Sequence, residues 1–264
     1  MNDGAEGEQV APTGKSGRST QAAGQPACAC SAALAVFVLA LLVRVPFVLS
    51  PGFPADQAQF IAWSERAQSQ GLSEVYAPRL DGSGKRFCNY PPGYLYVLWW
   101  LGTIHDRLAP PGDPPGDTVW RAVWDGEDTA ATRLAMRLHK LPAVIADGLL
   151  GALLVVWLGR RVGRRWATIV GGAYVLMPAV IHNSAAWGQV DAIHTLLMVA
   201  SLEMARRGRV RWMAALAVLA MLTKAQAIVL LPIWAVVTIR HCGVDWRRWL
   251  TTAAVAALVA AVML

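Results

Sequence analysis

Charged residues are scarce in this chain. Of its 264 residues, 16% are charged and 55% are hydrophobic, whereas an ordinary soluble domain carries about 25% charged residues. A soluble monomer of this size is therefore not expected. Long apolar runs recur through the sequence, at residues 31–43, 144–158 and 228–237, and such runs lie in a bilayer or in a very large core. We expect an all-α, polytopic transmembrane helical bundle.

Cysteine is also rare, with four residues in the chain, and its positions predict no disulfide framework. Cys28 and Cys30 precede the first apolar run, and Cys88 and Cys242 stand far apart in the sequence. Cys88 and Cys242 have no His or Cys at metal-ligand spacing. Neither a disulfide framework nor a zinc site is indicated, and no Gly-rich nucleotide-binding loop is found.

Positive charge is distributed in clusters between the apolar runs. The formal net charge is +7, but the arginines follow the positive-inside rule rather than the pattern of a nucleic-acid surface. We therefore expect membrane lipid, and no nucleic acid, as a partner. The clusters are Arg160, Arg161, Arg164 and Arg165; Arg206, Arg207, Arg209 and Arg211; and Arg240, Arg247 and Arg248.

Placing every cluster in the cytoplasm predicts about seven spans. They are a first span at 31–49 and later spans near 138–158, 166–181, 190–205, 212–223, 226–239 and 249–264. Residues 1–30 become a disordered cytoplasmic tail, since they have too few large apolar residues to fold. Residues 51–137 become a long extracytoplasmic loop with interfacial helices, because the aromatic stretch 93–105 would be only about 20 Å long as a helix.

An acidic residue opens this loop. Pro54 and Asp56 suit a helix start, with Phe60 and Trp63 following on one face. One interpretation is that Asp56 caps the helix while the aromatic residues anchor it in the interface. The other is catalytic, because a carboxylate directly after the first span, at the outer headgroup level, can take a proton from an acceptor hydroxyl.

Two further outer segments carry polar residues. In the first, Asp191 either caps the next helix or joins His182 and Gln189 in facing the same cavity as Asp56. There these residues would bind sugar hydroxyls or a divalent cation such as Mg²⁺ or Mn²⁺, the one cofactor that the sequence leaves open. In the second segment, Lys224 and Gln226 lie at a helix start, which either binds a lipid phosphate or simply directs the lysine to water.

Asp147 lies near the middle of a predicted span. Ionisable groups at this depth are costly and are functional candidates. The alternative is that Asp147 is a structural partner of Arg44 or of another polar group on a neighbouring helix.

The order of these motifs resembles a known family. Its signature here is Asp56 with an aromatic helix, Tyr90-Pro91-Pro92 before a second aromatic helix, Lys140-Leu-Pro-Ala-Val-Ile-Ala-Asp147, Asn183-Ser-Ala-Ala-Trp-Gly-Gln-Val-Asp191 and Lys224-Ala-Gln226. It is similar to the polyprenyl-phosphate-sugar-dependent GT-C glycosyltransferases, chiefly bacterial integral membrane members and, more distantly, the dolichyl-phosphate-glucose glucosyltransferases. The resemblance covers about residues 52–232.

The resemblance implies an inverting glycosyltransferase. Residues 31–264 would form its transmembrane catalytic module, with Asp56 as the general base. The donor would be a polyprenyl-phosphate hexose, such as mannose, and the acceptor a glycan, lipid or protein on the extracytoplasmic face of a bacterial plasma membrane or a eukaryotic endoplasmic reticulum. The expected substrate-binding residues are Tyr90, Trp63, His182, Gln189, Asp191, Lys224 and Gln226.

Two features depart from the family pattern. Asn89 stands where the family commonly has Asp, and an amide cannot act as an acid or a base. The chain also stops inside an apolar run, so we expect a fragment without the family's C-terminal module.

Two other functions remain open from the sequence. A transporter or lipid-handling protein would use Arg44, Asp147 and Lys140 as a path, although it should show internal repeats, and none is convincing. An inactive truncated remnant would agree with Asn89 and with the chain end.

Overall fold

The computed structural model describes residues 25–77, 88–109 and 118–264, with side chains from residue 30 onward. All regular structure in these ranges is helical, which confirms the all-α prediction. Most of the expected tail, 1–30, lies outside the described residues, and the first helix already begins at Gln25. The α-helices are α1 (Gln25–Leu49), α2 (Pro54–Ser69), α3 (Pro92–Leu108), α4 (Val119–Trp124), α5 (Ala130–Val162), α6 (Arg164–Leu176), α7 (Pro178–Ile181), α8 (Asp191–Arg206), α9 (Val210–Thr223), α10 (Leu231–Cys242) and α11 (Trp246–Met263).

Three short helical segments are wound more tightly or more widely than an α-helix. A 3₁₀ turn covers Ser73–Tyr76, a π-helical turn covers His182–Trp187, and a 3₁₀ turn at Ala225–Leu230 leads directly into α10. The π-helical turn and the second 3₁₀ turn both belong to the segments that the sequence singled out. Wide turns of this kind are frequent at functional sites.

The longest helix, α5, is the centre of the bundle. It begins with a capping box between Thr129 and Thr132 and packs against α1, α6 and α8. Glycines allow this close approach: a Cβ on Gly151 would lie 2.4 Å from Val175 Cγ1, and one on Gly148 would lie 2.8 Å from the Phe37 ring. Small residues at helix contacts are typical of membrane bundles.

A buried ion pair ties α1 to α5. Arg44 Nη2 lies 3.2 Å from Asp147 Oδ2, and the arginine is fully buried. Arg44 also donates to the carbonyls of Ala40 and Val175, while the Tyr174 hydroxyl donates to Asp147 Oδ1 at 2.8 Å. The prediction that Asp147 is a structural partner of Arg44 is confirmed, and the network joins α1, α5 and α6.

The described residues of the predicted outer loop, 51–77, 88–109 and 118–129, form a helical layer, which we call the outer layer. Pro54 begins α2, as expected, and Pro91 is the N-cap of α3 with Pro92 in its first turn. α2 and α3 pack through an aromatic cluster that contains Phe60, Trp63, Tyr90 and Tyr94. Phe60 and Trp63 are each 2% exposed, so they face protein and do not anchor α2 in the interface.

Within residues 25–77, 88–109 and 118–264, fewer helices can cross a membrane alone than the seven expected. Three of the helices in these ranges are long and apolar enough: Cys30–Leu49, Ala130–Val162 and Ala225–Cys242. A fourth crossing is possible if α6 and Pro178–Trp187, bent by 50°, form one broken span. α8 and α9 have 16 and 14 residues, or about 24 and 21 Å, against a hydrocarbon core of about 30 Å. α11 is not among the candidate spans, and its first turn carries Arg247 and Arg248.

Lys140 joins the outer layer to the bundle. Its ammonium donates to the carbonyl of Phe47 at 3.1 Å and to that of Ser50 at 2.7 Å. It therefore satisfies backbone carbonyls at the end of α1, which have no partner inside the helix. The Lys140 side chain is fully buried, so its ammonium contacts protein carbonyls and not water.

The Arg44–Asp147 pair gives a stability prediction. We expect Asp147→Asn to lower the free energy of unfolding by about 3–5 kcal/mol, because it leaves a buried guanidinium without its counter-charge. Asp128→Asn is the control: it breaks the exposed pair with Arg133 (2.7 Å) and should have no measurable effect. Denaturant unfolding in detergent micelles measures both, and equal losses would contradict the assigned role of the pair.

Candidate functional site

A cavity of about 570 Å³ opens where the outer layer meets the ends of α8 and α9. Five of the seven predicted substrate-binding residues line it: Tyr90, Gln189, Asp191, Lys224 and Gln226. Its other lining residues are Asn89, Pro91, Asn183, Trp187 and Ala225. The cavity therefore joins the loop before α3, the segment between α7 and α8, and the turn after α9.

Asp56 lies beside this cavity, in the first turn of α2. Its Oδ2 accepts a hydrogen bond from Trp187 Nε1 at 2.8 Å and a second from Gln189 Nε2. Both donors line the cavity. Within the described part of the chain, Oδ1 has no hydrogen-bond partner. The N-cap of α2 is Phe53, so the interpretation of Asp56 as the helix cap is wrong.

The segment that carries Trp187 and Gln189 is fixed to α2. The buried Gln57 amide donates to the Gly188 carbonyl at 3.1 Å, and the Phe53 amide donates to the Trp187 carbonyl at 3.1 Å. Gly188 has φ +90°, and a Cβ there would lie 2.0 Å from Gln57 Nε2. Glycine is thus required at 188 by both backbone conformation and space.

The second charged group of the site is the pair of Asp191 and Lys224. Lys224 Nζ donates to Asp191 Oδ1, and Asn183 Nδ2 lies 3.4 Å from Asp191 Oδ2. Lys224 Nζ also lies 5.4 Å from the centroid of the Tyr90 ring, in the range of a cation–π contact. The Lys224 side chain is 12% exposed, so it points into the protein rather than extending to water. Asp191 is the first residue of α8 and not its cap.

The environment fixes the protonation of this group. Burial lowers the pKa of Lys224, but the hydrogen bond to Asp191 and the adjacent Tyr90 raise it, and the net pKa lies above its ordinary value. Burial also raises the pKa of the Tyr90 hydroxyl, an effect that the Lys224 charge only partly opposes. At neutral pH the cavity therefore presents an ammonium and a neutral phenol.

Trp63 and His182 do not line the cavity. Trp63 packs behind Tyr90, with ring centroids 5.5 Å apart, and so supports the residue that faces the cavity. His182 is exposed and meets the Trp187 ring edge-on at 5.8 Å. Each of the two therefore contacts a residue that lines the cavity, without lining it itself.

Four residues of the site were not predicted from the sequence as functional. Trp187 donates a hydrogen bond to Asp56, Gln57 holds the segment before α8, and Asn89 and Asn183 line the cavity. Two features of the sequence could have indicated them. Gln57 directly follows Asp56, and a glycine separates Trp187 from Gln189.

The metal expectation can be tested on the same residues. Among the residues that the structure describes, no group of three or more His, Cys, Asp or Glu side chains could hold a metal ion. Asp56 and Asp191 do not form such a group with a third ligand, so we derive no step through a divalent cation. What the site offers is a carboxylate with one open oxygen, an ammonium, and several amides that can bind hydroxyls.

The conformation of Gly188 leads to a second stability prediction. We expect Gly188→Ala to lower the free energy of unfolding by about 1–3 kcal/mol, because it strains the backbone and displaces Gln57. Gly172→Ala is the matched control, since no atom lies within 4 Å of its Cβ position in α6, and alanine favours a helix. Unfolding in micelles compares the two, and a tolerated Gly188→Ala would refute the attachment of this segment to α2.

Comparison with known proteins gives no family for the chain. No protein-family model matches it, and no curated protein is significantly similar to it in sequence.

Proposed function

We propose that the chain is an inverting glycosyltransferase that moves a hexose, such as mannose, from a polyprenyl phosphate to an acceptor hydroxyl. One observation carries the proposal. Asp56 and Lys224 come from distant parts of the sequence, yet both bond to residues that line one cavity, Asp56 through Gln189 and Lys224 through Asp191. A proton acceptor and an anion-binding group therefore serve the same space.

Asp56 has the role of general base. Its Oδ2 is held by Trp187 and Gln189, which orients the carboxylate and leaves Oδ1 open. The acceptor O–H gives its proton to Oδ1 while its oxygen forms a bond to the anomeric carbon of the sugar. The bond from that carbon to the phosphate oxygen breaks on the opposite face, and the phosphate leaves with the electron pair. A single displacement inverts the configuration, so one carboxylate suffices.

Lys224 has the role of binding the donor phosphate. An ammonium has three donor hydrogens, and the contacts with Asp191 and with the Tyr90 face leave capacity for a phosphate oxygen. Because the side chain is largely buried, its attraction to the leaving phosphate is screened less than it would be in water. Gln226, exposed on the cavity wall, adds an amide donor.

The proposed membrane arrangement is a multi-pass bundle with the site on the extracytoplasmic face. Its support is the separation of charges along α5, where Lys140 lies beside the outer layer and Arg160 lies about 30 Å further along the helix. The arginine clusters then face the cytoplasm. In the seven-span arrangement the short helices α8 and α9 cross within the bundle, covered by neighbours. A lipid-linked donor reaches such a site from the bilayer, and the acceptor, a glycan, lipid or protein, reaches it from the aqueous side.

The test of the base is Asp56→Asn. We expect transfer from a polyprenyl-phosphate hexose to fall by at least about 10²–10⁴-fold, because the amide cannot take the proton. Folding and donor binding should be retained, since the Asn side-chain oxygen can still accept from Trp187 and Gln189. The assay uses the full chain in liposomes, with release of polyprenyl phosphate as the readout.

Asp125→Asn is the control for this test, because Asp125 is an exposed carboxylate in the same outer loop. It should leave transfer unchanged. Near-normal transfer by Asp56→Asn would remove Asp56 from the mechanism. Absence of transfer in the unsubstituted chain, with every hexose donor tried, would remove the proposed function itself.

The test of the phosphate site is Lys224→Ala. We expect donor affinity to fall about tenfold or more, since a charge-assisted hydrogen bond contributes roughly 1.5–3 kcal/mol. Arg160→Ala is the control, because it removes an equal charge from an exposed position at the other end of α5. Binding of fluorescent polyprenyl phosphate measures both, and equal affinities in the two variants would show that Lys224 does not hold the phosphate.

A further inference from the structure

A second cavity, of about 450 Å³, lies at the opposite end of the bundle. It is formed where α9 begins and where α10 turns into α11. Its polar and aromatic lining includes Arg209, Arg211, Trp212, His241, Arg248 and Thr251. The Asp56 mechanism uses none of these residues.

The lining carries positive charge that the protein does not compensate. Arg248 is paired, with its Nε 3.1 Å from Asp245 Oδ2. Arg209 and Arg211 make no side-chain hydrogen bond or ion pair anywhere in the described part of the chain, and both are exposed. Two free guanidinium groups on one cavity wall attract an anion, and their planar donor geometry fits phosphate oxygens.

One exposed tryptophan lines this cavity, and two more flank one of its arginines in the sequence. Trp212 lies on its wall and is 64% exposed, and Trp246 and Trp249, which flank Arg248, are also exposed. Exposed tryptophans concentrate at the membrane–water interface, where headgroups lie. The N-terminus of α9, with its unpaired amide groups, opens at the same place.

We propose that this cavity binds the phosphate of an anionic membrane lipid, on the membrane face opposite to the Asp56 site. The guanidinium groups of Arg209 and Arg211 contact the phosphate, Trp212 packs against the glycerol region, and the acyl chains lie along the apolar surface of α9 and α11. Basic cavities at the cytoplasmic ends of helices recognise lipid headgroups in this way. This inference does not rest on the proposed transferase activity.

The experiment measures lipid binding to the full chain in nanodiscs of phosphatidylcholine. Phosphatidylglycerol is added in increasing proportion, and bound lipid is counted by native mass spectrometry. We expect the double variant Arg209→Gln/Arg211→Gln to weaken this binding by about 30-fold, or about 1 kcal/mol for each arginine. The double variant Arg160→Gln/Arg161→Gln removes equal charge from exposed positions at the same end and should bind as the unsubstituted chain does.

Three controls decide the interpretation. If the double variant does not fold, Arg211→Gln alone replaces it, because this exposed side chain has no contact to lose, and about fivefold weaker binding is expected. Inorganic phosphate at the same concentration should not displace the lipid, and displacement would mean a site for free phosphate instead. Equal phosphatidylglycerol binding by the cavity variant and the Arg160/Arg161 variant would overturn the proposal.

Discussion

The buried amide of Gln57 attaches the segment before α8 to α2, and the candidate site depends on this attachment. Gln57 holds the Trp187 and Gly188 carbonyls, and its neighbour Asp56 accepts hydrogen bonds from the side chains on either side of Gly188. The same segment leads directly to Asp191, which holds Lys224. A polar contact between α2 and the segment before α8 thus brings a carboxylate, a cation and several amides to one cavity, while the bundle below keeps their supports in place.

That bundle is fixed by polar contacts inside apolar surroundings. The Arg44–Asp147 pair and the Lys140 contacts with the end of α1 are buried, so each charged group needs its partner to be tolerated there. These contacts also hold α1 against α5, and α1 leads directly into α2. The position of Asp56 relative to α5 is therefore set by interactions that lie outside the cavity itself.

Local signals and the distribution of positive charge along the sequence predicted much of this molecule. Prolines marked the starts of α2 and α3, and the spacing of arginine clusters predicted which segments meet at one end, which brought Gln189, Asp191 and Lys224 together. Contacts between distant segments were not predictable. Whether Trp63 faces lipid or protein depends on α3 docking over α2, and the burial of Lys140 depends on the end of α1. Length and composition do not decide the number of spans by themselves, because neighbouring helices determine whether a short apolar helix crosses the bilayer.

We propose that the cavity between Tyr90, Asp191 and Lys224 faces outside and takes a lipid-linked phosphate. Ala225→Cys places a thiol on its wall, in a chain whose native cysteines are replaced by serine. Our account predicts that a membrane-impermeant maleimide labels this thiol from the extracytoplasmic side, and that polyprenyl-phosphate mannose protects it. Gly163→Cys, between α5 and α6, should react only after permeabilisation and without protection. Labelling of both positions from one side, or no protection at 225, would contradict the account.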